Sequence, residues 1–352
     1  MIRRLTLSLT AIAALAALVA PAAFAGAANG GLPGATDNPL AGVRWGTYKT
    51  DSTDPSLDPP SAYYNTARNA ADRATFAKLL AIPRFRWFGA WVPTFQQGNK
   101  WGARKTAQNY IAAVQQGDPN VAVGVGIFRL DPFERAACQR LPTSAQISDY
   151  KRWIQEFAAG IGDSRVIMLL QPDMPFTLCL PHHSQIDLQL ISWTVSQFSA
   201  LAHTTVYIDS GSSDWQRPSE AASMLKRAGV ANARGFGLNL THFDSTAHEV
   251  AYGKKVVAAL RHVGVKGTHF AVNTSMNGRP FTTQAHKREF KAGTVCRSRS
   301  SRACVTLGQK PTINTGTPLC DAFIWFGRPW INNATRRSYD EVLQLVRTSP
   351  FF

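Results

Sequence analysis

The chain has 352 residues, of which 45% are hydrophobic, 17% charged and 10% aromatic. This excludes a disordered or collagen-like chain and leaves ample sequence for the core of one large α/β domain or two ordinary ones. The formal net charge of +16 would favour polyanions, but the basic residues are scattered apart from Arg297, Arg299 and Arg302. There is no nucleic-acid-binding motif and no basic stripe at helical spacing, so the expectation is a cationic surface without a nucleic-acid partner.

The first 25 residues read as an export signal. Arg3 and Arg4 precede an apolar run that ends in small residues around Ala25. Cleavage there lowers the net charge from +16 to +14, since those two arginines are removed. No later segment reaches about 20 apolar residues, so a secreted protein with no membrane span is expected. Residues 26–37 read as a flexible leader and 38–352 as a single domain. The five cysteines, at 138, 179, 296, 304 and 320, should mostly pair in an exported chain, which suggests two disulfides. None has CxxC spacing, and neither a metal nor a cofactor is expected.

Further along, residues 50–64 read as a loop from their Pro, Asp and Ser content. Apolar or aromatic runs then recur at 85–91, 121–128, 166–171, 205–209, 235–240, 269–273 and 323–326, each with the character of a buried strand. Between most of them lie segments with apolar residues at three- and four-residue spacing, such as 147–161, 185–202, 218–230 and 249–263, which predict helices. This alternation predicts a parallel sheet covered by helices, and over one linker-free domain it points to a (β/α) barrel. Segment 279–319 is basic and polar and breaks the rhythm, which predicts a long loop over one end of the barrel.

Chemistry in such barrels sits at the C-terminal strand ends. There the sequence places Asp173, Asp209, Asn239 and Asn273, with Trp215 just beyond and Trp45, Trp87, Trp91 and Trp325 in or beside other strands. Carboxylates and amides bind sugar hydroxyls, indoles stack on pyranose faces, and two carboxyl groups can perform glycoside hydrolysis. Each Trp could equally be core, and each Asp could equally cap a helix.

In chain order these pieces resemble glycoside hydrolase family 6, the inverting cellobiohydrolases and β-1,4-endoglucanases. NPLAG at 38–42 is similar to the family's opening segment, with Trp45 at its sugar-binding tryptophan and Thr47 beside it. LLQPDMP at 169–175 resembles the motif that carries the general acid. YIDSGSSDW, AGVANARGFGLNLTHF, HFAVNTSMNG and TINTGTPLCDAFIWF each resemble a later family segment. The resemblance runs from Asn38 to about Asn333. It implies a distorted barrel, usually of seven parallel strands, and a single-step inversion in which Asp173 donates the proton and Asp209 supports it. It implies substrate contacts at Trp45, Thr47, Ser212, Trp215, Asn239 and Arg328, a disulfide between Cys138 and Cys179, and a β-glucan or related polysaccharide acted on by a monomer. Cys296 matches half of a second family disulfide, leaving Cys304 or Cys320 as its partner.

The departures from the family pattern are specific. Phe128 replaces a tyrosine, Gln171 a glutamate, Ser212 a histidine and Val295 a stacking tryptophan. Ala137 stands where the family has the aspartate that raises the acid's pKa, a role open to Asp131 or Glu134 if their loop folds inward. Gly327 falls at a lysine, Ile331 at a glutamate, and Asn333 at the aspartate proposed as base, where an amide cannot accept a proton. Arg328 is then the candidate for the lysine's binding role. A secreted glucanase with an altered site is the first reading and a non-catalytic carbohydrate-binding relative the second. A surface protein whose basic loop binds polyanions is the third.

Overall fold

The computed structural model describes residues 37–282, 293–332 and 335–352. The segments read from the sequence as signal and leader, apart from Asp37, and Asn333 lie outside the described residues. Seven strands form one sheet in sequence order with every neighbouring pair parallel: β1 (Arg86–Gly89), β2 (Val123–Phe128), β3 (Val166–Leu170), β4 (Thr204–Asp209), β5 (Gly235–Leu238), β6 (His269–Asn273) and β7 (Cys320–Ile324). The sheet curls into a distorted (β/α) barrel. The chain entering β1 meets the chain leaving β7 where Phe85 N–H donates to Trp325 O at 2.9 Å and the Trp87 indole donates to Phe326 O at 2.9 Å.

Six strands fall on their predicted apolar runs. The seventh starts three residues before the expected 323–326 run and ends at Ile324. Its polar beginning hid it. Phe270 pairs with Cys320 and Ala271 with Ala322, so Asp321 is an extra, bulged residue. There it accepts hydrogen bonds from Arg234 (2.8 and 2.9 Å) and Tyr207 Oη (2.7 Å), with His269 Nδ1 3.1 Å away.

Each strand is buried on both faces, as a helix-covered parallel sheet requires. Ile167, Leu169, Tyr207, Ala271, Ala322 and Ile324 point inward, where Phe85, Trp87 and Phe326 complete the filling. Space for those rings comes from β2, where a Cβ on Gly124 would lie 2.9 Å from the Phe85 ring and one on Gly126 2.7 Å from Phe326. The alternate residues, including Val166, Met168 and Leu170, pack outward against helices α3 (Ala103–Gln115), α4 (Ser144–Ile161), α5 (Ile186–Ser199), α6 (Pro218–Arg227) and α7 (Thr246–His262). In α4, a capping box joins Thr143 and Gln146, and Tyr150, Trp153, Ile154, Phe157 and Ile161 form the buried stripe.

The expected loop at 50–64 contains a helix, α1 (Pro59–Asn65). Pro59 and Pro60 occupy its first positions, where their missing N–H groups cost nothing, and Asp58 caps Ser61 N–H. Segment 279–319 also departs from expectation. Its described part does not simply cover the barrel: Val295, Val305 and Leu307 join a second core with α2 (Ala70–Leu80) and α8 (Tyr339–Arg347). Cys138 pairs with Cys179, and Cys296 with Cys304, while Cys320 is a buried thiol. Among the described residues no helix is long and apolar enough to cross a membrane.

Candidate active site

The chain leaving β3 makes a tight reversal. Gln171 (φ 51°) and Asp173 (φ 61°) are both left-handed around Pro172. Such residues carry strain of order 1–3 kcal/mol and persist only where their surroundings hold them. Gln171 is held by its carboxamide oxygen, which accepts from Arg129 and Leu130 N–H at 3.3 Å each. The turn after Asp173 is held by Asp209, which accepts from Met174 N–H (3.2 Å) and Gly211 N–H (3.0 Å). Asp209, at the end of β4, is buried and thus anchors the loop that presents Asp173.

Asp173 itself is half-buried, and Thr241 Oγ1 donates to its Oδ1. Dehydration pushes its carboxyl up to about 6, and the charge of Glu134 adds to the rise. The Thr241 hydrogen bond, His242 and Arg328 oppose it. Asp209 is pushed well above the usual carboxylate range by burial first and by the nearby Asp173 second. Two dehydrated carboxyls sharing one strand-end site thus favour the protonated acid. Of the two loop carboxylates left open by the sequence, Glu134 is the one whose charge reaches Asp173. Asp131 faces away, accepting from Gln146 at 2.9 Å with Arg140 at 3.8 Å. The Cys138–Cys179 bridge ties the Glu134 turn to the turn that follows Asp173.

Other predicted residues divide. Trp215 joins the site: a Cβ on Gly211 would lie 2.8 Å from its ring and 2.9 Å from Pro175, two residues after Asp173. Its ring centroid is 5.3 Å from that of His242, whose Nε2 lies 3.2 Å from Asp214. Arg328 also joins, 3.9 Å over the Trp87 ring; burial lowers its pKa to about 10 against the pull of Asp173. Trp91, at the end of β1, is 52% exposed and lines the same groove as Arg328.

Four predicted binding residues either spend their polar groups on protein partners or lie away from Asp173. Asn239 is fully buried, its amide donating to Asp244 O and Asn273 O and accepting from Asp244 N–H, all at 3.1 Å. Together with Asn273, which accepts from Phe326 and Gly327 N–H at 3.0 Å, it clamps three strand ends. Ser212 is buried and donates to Glu249. Trp45 pairs through its backbone with Ala122, ahead of β2, and packs on the barrel-interior cluster; Thr47, half-buried, follows on the same segment. Trp45 therefore sits by the start of β2, whereas Asp173 lies beyond the end of β3. Val295 belongs to the second core, and Gly327 has no room for a side chain, since a Cβ would meet Ser275 Oγ at 2.5 Å. Asn333 falls outside the described residues.

Thr241, His242 and Glu249 were not singled out from the sequence. Glu249 had a legible signal, because it opens the buried stripe of α7 that continues through Tyr252, Gly253, Val256, Val257 and Leu260. It accepts from Ser213 N–H at 3.0 Å, and burial pushes its carboxyl up to about 8. The folded chain therefore keeps a proton that the unfolded chain releases near pH 4.5. The Glu249 contribution to stability is greatest below that pH and falls as pH rises toward 8, by at most about 1.4 kcal/mol per pH unit. Glu249→Gln is expected to flatten the fall in unfolding midpoint between about pH 5 and pH 8; parallel curves for the two proteins would reject this account.

The family model described as Glycosyl hydrolases family 6 matches residues 50–332. Endoglucanase 1 of Streptomyces halstedii is 30% identical over 207 residues, covering 57% of this chain and 61% of the relative. Endoglucanase A of Thermobispora bispora is 26% identical over 257 residues, 72% of this chain and 51% of the relative. The chain thus spans about half to three-fifths of the length of these relatives. Endoglucanase Cel6 from Mycobacterium tuberculosis, solved with methyl-cellobiosyl-4-deoxy-4-thio-β-D-cellobioside, shares the fold with a TM-score of 0.67 at 22% identity, over 88% of this chain and 98% of that one. A family 6 enzyme from Orpinomyces sp. Y102 gives the same TM-score at 18% identity, over 90% and 100% of the two chains. The match over 50–332, carried on a barrel whose Asp173 and Asp209 meet at the strand ends, makes this chain a member of glycosyl hydrolase family 6.

Proposed function

We propose that this protein is a secreted glucanase that hydrolyses β-1,4-glucosidic bonds with inversion. The observation that carries the reading is the dehydrated carboxyl of Asp173, with its pKa near 6, at a rim that also holds Trp215 and Arg328. A general acid works best with a pKa near the operating pH. In the proposed step Asp173 gives its proton to the glycosidic oxygen as the C1–O bond breaks. A water oxygen bonds C1 from the opposite face and releases its proton to solvent. Asp209 positions the acid through the Met174 N–H and takes no proton from substrate. Export is supported by the apolar run within residues 1–25 and by two disulfides in a chain of five cysteines.

A second reading, a glycan-binding relative without turnover, draws on the departures at the last motif. Gly327 cannot be rebuilt as a longer residue without displacing Ser275 and Met276. Slow hydrolysis with an acid-shifted optimum reconciles the acid's position with those departures.

The test is reducing-end release from a soluble β-glucan across pH. Only protonated Asp173 donates, so the alkaline limb of the profile should fall through about pH 6. Nuclear magnetic resonance of the first products should show the α-anomer. Initial β-anomer would reject inversion, and no release at any pH would leave the binding reading.

A further inference from the structure

The groove lined by Trp91 and Arg328 has an unusual charge balance. Its wall holds Arg84, Arg86, Arg328 and Arg336, and the carboxylate among them is Asp58. That carboxylate is taken: Arg84 Nη2 lies 2.6 Å from Asp58 and also donates to Tyr48 O at 2.7 Å. Among the described residues, no carboxylate stands within ion-pair distance of Arg86, Arg328 or Arg336. Neighbouring Asp54 accepts from Ser56 N–H at 2.7 Å and feels the charge of Arg336 only beyond ion-pair distance.

Aromatic faces hold two of these guanidinium groups instead. Arg328 lies 3.9 Å over Trp87, and Arg86 lies 5.0 Å from the centre of the Tyr48 ring. Stacking of this kind fixes the guanidinium plane and leaves its edge N–H donors available. A partly dehydrated cation without a counter-ion is costly, and binding a carboxylate in two-pronged geometry relieves that cost. A neutral glucan places the opposite demand on a groove. Its hydroxyls donate as well as accept, whereas arginine only donates. Trp91, half in solvent at the groove's edge, supplies a face for a pyranose ring, and Arg328, on the same lining, is close enough for its charge to act on Asp173.

We propose that this groove takes a β-linked glucan bearing carboxylates, such as a uronate-containing or carboxymethyl-substituted chain, in preference to neutral glucan. The inference rests on the reading of Asp173 as the acid of a glucanase, but its test is a binding measurement and can fail separately. Affinities are measured for carboxymethylcellulose, a β-1,4-linked polyglucuronate and neutral hydroxyethylcellulose, using the wild type, Arg86→Gln, Arg336→Gln and the double variant. Arg336 is exposed, so its substitution leaves the core untouched. At low salt the wild type should bind the carboxylated chains at least about tenfold more tightly, and the advantage should shrink toward about 0.5 M salt. The double variant should bring the preference to about twofold or less with hydroxyethylcellulose affinity unchanged. Equal wild-type affinity for neutral and carboxylated chains would overturn the proposal, as would a double variant that keeps the preference. Equally tight binding of single-stranded DNA would also overturn it, since that is charge capture without sugar recognition. Tight, carboxylate-selective binding without release of reducing ends would uphold this groove and reject the glucanase reading.

Discussion

Replacing Asp173 by Asn should lower glucan hydrolysis by about 10²–10⁴-fold while leaving binding in place. The amide keeps the side chain's shape and can still meet Thr241, which donates to Oδ1 in the native site. What it lacks is a proton it can give to the leaving oxygen. The left-handed turn should survive, because Gln171, Asp209 and the Cys138–Cys179 bridge hold it rather than the Asp173 carboxyl. Rate and affinity are measured together on one soluble glucan, at a pH below about 6, where the native acid is protonated. Equal rates for the two proteins would remove Asp173 from the chemistry. A loss of binding as large as the loss of rate would make it a structural residue.

The other large effect concerns stability. Asp321→Ala should destabilise the fold by about 3–5 kcal/mol, the cost of removing one partner of a buried ion pair. The carboxylate is fully enclosed, and its removal strands the buried Arg234 guanidinium together with Tyr207 Oη and His269. Burial alone would raise the Asp321 pKa, but Arg234 and His269 outweigh it and hold the group below the ordinary carboxylate range. Its contribution is therefore fully present above about pH 4 and is lost as pH falls through the depressed value. Urea unfolding at neutral pH gives the size of the loss, and a change under about 1 kcal/mol would contradict it. The variant should also lose part of the wild type's acid-induced destabilisation.

Much of the fold could be read from the chain because burial on both faces writes itself as uninterrupted apolar runs. VIMLL at β3 is buried at all five positions, so periodicity had nothing to confuse. The last strand was harder because its first residues are Cys, Asp and Ala, and Asp321 is in the sheet only through its tertiary partners. Helix α1 hid behind two prolines that read as loop residues out of context and as a helix start in it. Around the candidate site, Asp173, Asp209, Trp215 and Arg328 were singled out from the sequence, and the fold sets each of them near the β3 and β4 ends or within reach of the Asp173 charge. The sequence could not distinguish polar groups that face a ligand from those that satisfy other protein groups. Asn239 and Ser212 occupy strand ends like binding residues, yet their hydrogen bonds close on Asp244, Asn273 and Glu249. Thr241 was passed over for the opposite reason: a lone hydroxyl after a strand carries no pattern until the fold sets it against Asp173.

Because Gly124 and Gly126 vacate the volume that Phe85, Trp87 and Phe326 occupy, these positions are not free to drift singly. A methyl group gained on β2 would collide with a ring, and a ring trimmed alone would leave a void costing several kcal/mol. Only matched exchanges keep the barrel full. The ancestry of this chain should therefore carry these substitutions as correlated pairs, a glycine giving way to a larger residue in the same lineages where one of the three rings has become smaller. Such exchanges would also move the floor beneath Arg328, whose guanidinium rests on Trp87. Compensated changes deep in the barrel could thus retune the groove's charge without altering any residue that faces solvent.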